Sequence, residues 1–232
     1  MAYHLKSRIE LCGVSQTFSQ NAQQVQLFQD LTLTIAQGHS YAITGPSGSG
    51  KSSLLMLLSG LAQPSTGQGY WLENDSRRPL AGLAKEIGYI FQQFHLLPEL
   101  TALHNVALPL KLRGVKHAEQ LAKSWLDKVG LGHRLQHKPA QLSGGEQQRT
   151  AIARALVFSP KFIFADEPTG NLDSQNAQDI ADLLFACCEE QGAGLVIVTH
   201  SELLAARAEQ IFNLAQGHCQ LRQSKLQEVY RA

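Results

Sequence analysis

No apolar run in this sequence approaches the ~20 residues that a membrane-crossing helix needs. The first eight residues, M-A-Y-H-L-K-S-R, lack the apolar core of a secretory signal. The expectation is a soluble, intracellular protein. Cysteine is scarce: Cys12, Cys187, Cys188 and Cys219 form no C-x-x-C pair. Cys187 and Cys188 lie in a helical pattern, with no histidine at zinc-ligand spacing. Free, mostly buried thiols in a reducing compartment are expected. Charge of either sign is not in excess. The formal net charge of +1 argues for neither a nucleic-acid partner nor a membrane surface. Internal repeats and low-complexity segments are also lacking. The 44% of hydrophobic residues is enough for a sizeable core. At ~100–200 residues per domain, 232 residues allow one large domain or two small ones.

The most informative stretch is G-P-S-G-S-G-K-S at residues 45–52. It fits G-x-x-x-x-G-K-[ST] at every fixed position. An apolar run (Y-A-I-T, 41–44) precedes it and a helix-forming run (L-L-M-L-L, 54–58) follows. Strand, glycine-rich loop and helix make this a phosphate site. The glycines let successive N–H groups turn inward on phosphate oxygens, and the helix N-terminus adds partial positive charge. The cradle is Gly45, Pro46, Ser47, Gly48, Ser49, Gly50, Lys51, Ser52 and Ser53. Lys51 can reach the β- and γ-phosphates of a nucleoside triphosphate, and the Ser52 hydroxyl can ligate Mg²⁺. A plain strand–helix turn would have no need of the Lys-Ser pair.

Residues 8–44 read as strands and turns, with an exposed turn at 21–26. A helix is expected from Lys51 to about Leu61, then a short strand at 69–72. A mixed loop with some helix follows at 73–85, and a strand at 87–91. Helix patterns dominate from 94 to about 158. Over 116–130, Leu121, Ala122, Trp125, Leu126 and Val129 share one face. A further helix covers 151–156, directly after L-S-G-G-E at 142–146, whose glycine pair again suits an anion. Strands return at 162–165, 195–198, 211–214 and 219–221, with a helix over about 175–190. Apolar strands alternating with helices predict an α/β protein with a mostly parallel, buried sheet.

The strand at 162–165 ends in Asp166 and Glu167. Beside a phosphate loop, Asp166 is the expected Mg²⁺ anchor. Glu167 is the expected general base on the attacking water, a role worth roughly 10²–10⁴ in rate. An acid pair capping a surface strand is the plainer alternative. His200 also follows a strand end, where ligands of open α/β sheets gather, and could contact the γ-phosphate.

Taken together, residues 45–52, Gln92, L-S-G-G-E at 142–146, F-I-F-A-D-E at 162–167, N-L-D at 171–173 and His200 resemble the ATP-binding cassette (ABC) ATPases, in order and spacing over nearly the whole chain. The resemblance implies one ABC domain over residues 1–232. Residues 1–92 and 159–232 would form the nucleotide-binding core with an antiparallel β subdomain, and about 93–158 an inserted α-helical subdomain. It implies ATP hydrolysis with Mg²⁺ in a head-to-tail homodimer. Ser143, Gly144, Gly145 and Glu146 would meet the γ-phosphate held by the partner subunit. Gln92 would touch Mg²⁺ and sense a membrane partner, and Asp173 would communicate across the dimer. An aromatic residue before the phosphate loop stacks on adenine in the family. Phe18 is the candidate, with Phe28 as a core alternative.

Within the family, the stretch 93–141 leaves no room for the long coiled coil of chromosome and repair members. One motif set per chain argues against twin-cassette translation factors. Residues 89–109 and A-D-E-P-T-G-N-L-D at 165–173 are most similar to the bacterial branch of lipoprotein-releasing, macrolide-export and cell-division ATPases. That similarity implies a separate permease subunit with few spans and a large extracytoplasmic domain, a place on the cytoplasmic face of the inner membrane, and no nucleic-acid partner. Gln147, Gln148, Thr150 and Ser201 depart from the usual residues. The alternative function is a regulatory cassette gating a membrane partner without moving cargo. Phe94, Leu96, Leu97 and Leu100 are apolar residues near Gln92 that would meet the membrane subunit or pack the helical subdomain.

Overall fold

The computed structural model describes residues 7–20 and 23–225. In chain order it contains β1 (Arg8–Gln20), β2 (Gln23–Ala36), β3 (Ser40–Thr44), α1 (Lys51–Leu58), β4 (Thr66–Glu73), β5 (Ser76–Pro79) and β6 (Ile87–Ile90). Then come α2 (Ala102–Leu112), α3 (Ala118–Lys128), α4 (Gly144–Leu156), β7 (Phe162–Asp166), α5 (Ser174–Gln191), β8 (Gly194–Val198), α6 (Glu202–Ala205), β9 (Gln210–Ala215) and β10 (His218–Ser224). Two compact units emerge, one holding the chain through Glu86 and from Gly194 onward, the other Ile87–Ala193.

The first unit carries an antiparallel sheet of order β2-β1-β4-β5. Ile9, Leu11 and Val14 of β1 pair with Ile35, Leu33 and Leu31 of β2, and all six are buried. Period-two alternation puts them on one face. The register slips between Leu11 and Val14, where Gly13 takes φ 57°. The expected turn at 21–26 includes residues 21 and 22, outside the described ones; β2 begins at Gln23. In the same unit β3 runs parallel to β8 on one side and β9 on the other, and β10 closes antiparallel on β9. The burial of Tyr41, Ala42, Ile43 and of Leu195, Val196, Ile197, Val198 explains why these strands read as continuous apolar runs. α1 ends at Leu58, a turn earlier than the sequence suggests. Residues 73–85 contain a strand, β5, as well as a single 3₁₀ turn at Leu83–Lys85.

The second unit pairs β6 with β7 in parallel, with Ile90 opposite Ala165. Its helices enclose a separate core of Ala102, Val106, Ala107, Leu110, Ala122, Leu126, Val129, Leu142 and Ala153, among others. Each large aliphatic side chain buried here contributes ~1.5–3 kcal/mol. α2 tolerates Pro109 in its penultimate turn. Arg113 donates from Nη1 to the Pro109 carbonyl at 2.8 Å. Asn105, wholly buried, gathers the preceding loop onto α2. Its amide donates to the carbonyls of Leu97, Leu100 and Thr101 at 3.1 Å each, and its oxygen accepts from Leu97 N at 2.8 Å.

Candidate functional site

Each unit places motif residues at the carboxyl ends of its own strands. In the first unit β3 leads into the phosphate loop. Gly45 has φ 147°, and a Cβ there would stand 2.1 Å from the Leu214 carbonyl oxygen, so no other residue fits. Gly48 and Gly50 take φ 77° and 95°, the left-handed region that glycine enters without strain. Gly50 is the N-cap of α1, no side chain caps that end, and its first turn has no acidic residue. The exposed N–H groups and the helix dipole are therefore left for an external anion. Lys51 folds back over the loop and donates to the carbonyls of Gly45 and Pro46 at 3.0 and 2.9 Å. Ser49 Oγ is buried with no hydrogen-bond partner. An orphaned hydroxyl inside a glycine cradle is what a phosphate oxygen would satisfy. Ser52 is exposed and Ser53 half-buried on the first turn; Pro46 and Ser47 are exposed.

His200 leaves the same strand edge. Val198 of β8 lies opposite Ile43 of β3, and Thr199 N donates to the Ile43 carbonyl at 3.2 Å. Parallel neighbours sit ~4.8 Å apart, so His200 and the loop start from adjacent strands of one unit. His200 is exposed. Phe18 is 49% exposed on β1 opposite Val25, while Phe28 is fully buried in the core. An adenine could meet Phe18 and could not meet Phe28.

In the second unit Asp166 is the last residue of β7 and Glu167 follows with φ 45°. A non-glycine residue here carries backbone strain of ~1–3 kcal/mol. Tyr89 on β6 shares this strand end. Burial first, and the Asp166 carboxylate second, push its phenol far above the ordinary range, and its hydroxyl is unpartnered. The turn after Glu167 closes through Gly170 N on the Glu167 carbonyl at 3.0 Å. Asn171 donates to the Gln92 carbonyl at 2.8 Å. Gln92 Nε2 passes 3.4 Å from where a Cβ on Gly170 would stand. Gln92 is thus brought to the Glu167 turn.

The L-S-G-G-E segment opens α4. Ser143 is the N-cap; its Oγ accepts from Glu146 N at 3.3 Å, and Glu146 Oε2 accepts from Ser143 N at 2.8 Å. This reciprocal capping box holds both ends of the motif. Arg134 donates from Nε to Glu146 Oε1 at 2.8 Å. The Ser143 N–H, and then the Arg134 guanidinium, hold the Glu146 carboxyl below the usual range. Gly144 and Gly145 have N–H groups outside the box. A Cβ on Gly145 would meet Asn176 Oδ1 at 3.1 Å. Asp173 caps α5 by accepting from Asn176 N at 3.0 Å and Asn176 Nδ2 at 2.6 Å. Those bonds lower its pKa. The L-S-G-G-E segment, the signature segment of this chain, and Asp173 are therefore neighbours through Asn176. Phe94, Leu96 and Leu100 are half-buried and Leu97 is 43% exposed.

Sequence reasoning passed over three supports. Gln148 is wholly buried and donates to the Pro168 carbonyl at 2.7 Å. Arg154 donates to the carbonyls of Phe94 and His95 at 2.8 and 2.6 Å. Arg134 holds the capping box. The S-x-x-E spacing could have revealed the box; no local pattern marks the other two.

Among the described residues no group of three or more His, Cys, Asp or Glu could hold a metal ion. Magnesium characteristically takes one or two protein ligands and completes its shell with phosphates and water. Ser52 in the first unit, and Gln92 and Asp166 in the second, each carry an oxygen donor of the type that magnesium takes.

A strand–glycine loop–helix cradle with Lys51 and Ser52, on a largely parallel α/β sheet, defines a P-loop nucleoside triphosphatase. Residues 28–170 match the ABC transporter family. The chain belongs to that family, as an ATP-binding, ATP-hydrolysing subunit. It is 45% identical over 218 residues to the lipoprotein-releasing system ATP-binding protein LolD of Saccharophagus degradans, covering 90% of this chain and 95% of that protein. It is 45% identical over 219 residues to YbbA of Escherichia coli K12, an uncharacterized ABC transporter ATP-binding protein, covering 91% and 96%. The dimeric ATP-binding cassette MJ0796, in a post-hydrolysis state bound to ADP and Pi, superposes with a TM-score of 0.83 at 36% identity, covering 94% of this chain and 99% of that one. The fold is that of an ABC ATPase cassette. Among the described residues no helix is long and apolar enough to cross a membrane.

Proposed function

We propose that this subunit works as a head-to-tail dimer that hydrolyses ATP to drive a separate membrane subunit of the lipoprotein-releasing type. The observation that carries the reading is the 45% identity to a LolD protein along nearly the full length of both chains. The motif residues of both units support it.

Lys51 exchanges its carbonyl partners, Gly45 and Pro46, for phosphate oxygens, and the N–H groups at the head of α1 hold the rest of the phosphate chain. Ser52, Asp166 and Gln92 would hold Mg²⁺, which would supply charge neutralisation to the triphosphate. Glu167 takes the proton from the attacking water, and His200 orients the γ-phosphate. Ser143, Gly144 and Gly145 close on the nucleotide of the second subunit, and Phe18 stacks on its own adenine. Phe94, Leu96, Leu97 and Leu100 meet the membrane subunit, which has few spans and a large extracytoplasmic domain. The complex sits on the cytoplasmic face of the inner membrane and needs no nucleic acid. Residues about 93–158 act as the helical subdomain of a single cassette.

Glu167→Gln tests the core of this reading. Hydrolysis should fall ~10²–10⁴-fold with ATP binding kept. Hydrolysis at the wild-type rate would sink the assignment. In mild detergent with ATP, the same variant should trap a membrane protein with few spans. A many-span partner would point to a channel-type transporter. A partner recovered without cargo movement would favour the regulatory role.

A further inference from the structure

Glu167 sits at φ 45°, in the left-handed region. Such a conformation persists only where the surroundings over-determine it. Three restraints on the turn come from the turn itself or its flanks. β7 fixes the chain up to Asp166. Pro168 has its own φ locked near −65° by its ring. Gly170 N closes back on the Glu167 carbonyl. The fourth comes from another element. Gln148, on α4, donates from Nε2 to the Pro168 carbonyl at 2.7 Å, and both residues are buried. The Gln148 Oε1 has no hydrogen-bond partner. A buried, unsatisfied carbonyl is destabilising. An apolar side chain of the same volume would avoid that cost, so packing alone does not explain a glutamine here.

Gln148 lies five residues along α4 from Ser143, the cap of the same helix, a rise of ~7.5 Å at ~1.5 Å per residue. The Ser143–Glu146 box makes the first turn of that helix rigid. A displacement of the Ser143 end is therefore carried by a stiff helix to the Gln148 amide, and by one short hydrogen bond to the peptide after Pro168, one residue beyond Glu167. We propose that Gln148 is a positioning residue for the general base. It sets the direction of the Glu167 carboxylate and ties it to the engagement of the signature segment. The proposal rests on the reading of Glu167 as the base.

The test is Gln148→Met, which keeps length and removes the donor. Misplacing a catalytic group by ~1 Å can cost ~10²-fold. The expected result is a kcat lower by ~10–100-fold with KM for ATP within about twofold, and accumulation of an ATP-bound dimer as in Glu167→Gln. Gln148→Asn, which keeps the amide but shortens its reach, should behave alike and serves if the methionine variant folds poorly. In a Glu167→Gln background either change should produce no further loss, because both act on one group. An unchanged kcat would overturn the proposal. So would a loss additive with Glu167→Gln, or a rise in KM that tracks a lower melting temperature with kcat intact. Wild-type hydrolysis by Glu167→Gln alone would instead overturn the assignment of the base.

Discussion

Two glycine-rich segments each open a helix in this chain, and their ends are built in opposite ways. At α1 the cap is Gly50, no side chain caps the end, and the first turn holds no acid. At α4 the cap is Ser143, Glu146 sits at the third helical position, and Arg134 holds Glu146. The first helix leaves its N–H groups and its dipole for something outside the chain. The second satisfies two of its amides with its own side chains. A helix N-terminus is therefore not one kind of site. α1 can bind phosphate by itself, whereas α4 is fixed in place first and can offer only the Gly144 and Gly145 N–H groups and the Ser143 hydroxyl. Its contribution is one of position, which suits a surface that meets a nucleotide already held elsewhere.

The largest effect should come from taking charge away from the α1 end. Lys51→Ala removes the ammonium that caps the phosphate loop. The loss of one preorganised charged donor costs ~10²–10³ in rate, measured as ATP hydrolysis under saturating Mg²⁺. A comparable fall in nucleotide affinity should accompany it. Retention of both would mean that the loop N–H groups alone suffice.

The next effect erases the contrast itself. Ser53 occupies at α1 the third helical position that Glu146 holds at α4. Ser53→Glu would give α1 an acid of its own. The helix should gain ~0.3–1 kcal/mol of stability from its dipole. ATP should bind about tenfold more weakly, equal to ~1.4 kcal/mol, because a carboxylate now competes for the same field. Thermal melting and a nucleotide titration would read the two changes with opposite sign. A variant that is both more stable and equally tight in binding would show that the bare end of α1 is incidental.

The two ends also differ in how far the sequence disclosed them. The phosphate loop was legible because its chemistry is local: G-x-x-x-x-G-K-[ST] needs only a strand before it and a helix after it, and both are readable as apolar runs. The α/β class was legible for the same reason, since β3, β7 and β8 are buried on both faces. β5 was not. All four of its residues are exposed, so no alternation marks it. α2 is capped by Thr101 and contains Pro109, which breaks the usual helix pattern; tertiary packing of Val106 and Leu110 decides it. The left-handed Glu167 and the Gln148 anchor depend on Gln148 and Pro168, 20 positions apart, meeting through the fold, and sequence spacing carries no trace of that.

The smallest effect concerns the acid that α4 keeps for itself. The Ser143 N–H, and after it Arg134, hold the Glu146 carboxyl below its ordinary value of 4.5. A group whose pKa is lowered by folding adds stability above its unfolded pKa and loses it as pH falls through the folded value. Wild-type protein should therefore be the more stable at neutral pH when set against Glu146→Gln, which keeps an oxygen for the Ser143 N–H but gives up the charge. The difference should shrink below about pH 4.5, where the glutamate begins to protonate. Ion pairs near a surface contribute little, so a gap of ~1–2 °C in melting temperature is the scale to look for. A gap that stays constant from pH 7 to pH 3 would mean that shape, not charge, fixes the signature turn, and α4 would then differ from α1 by its cap alone.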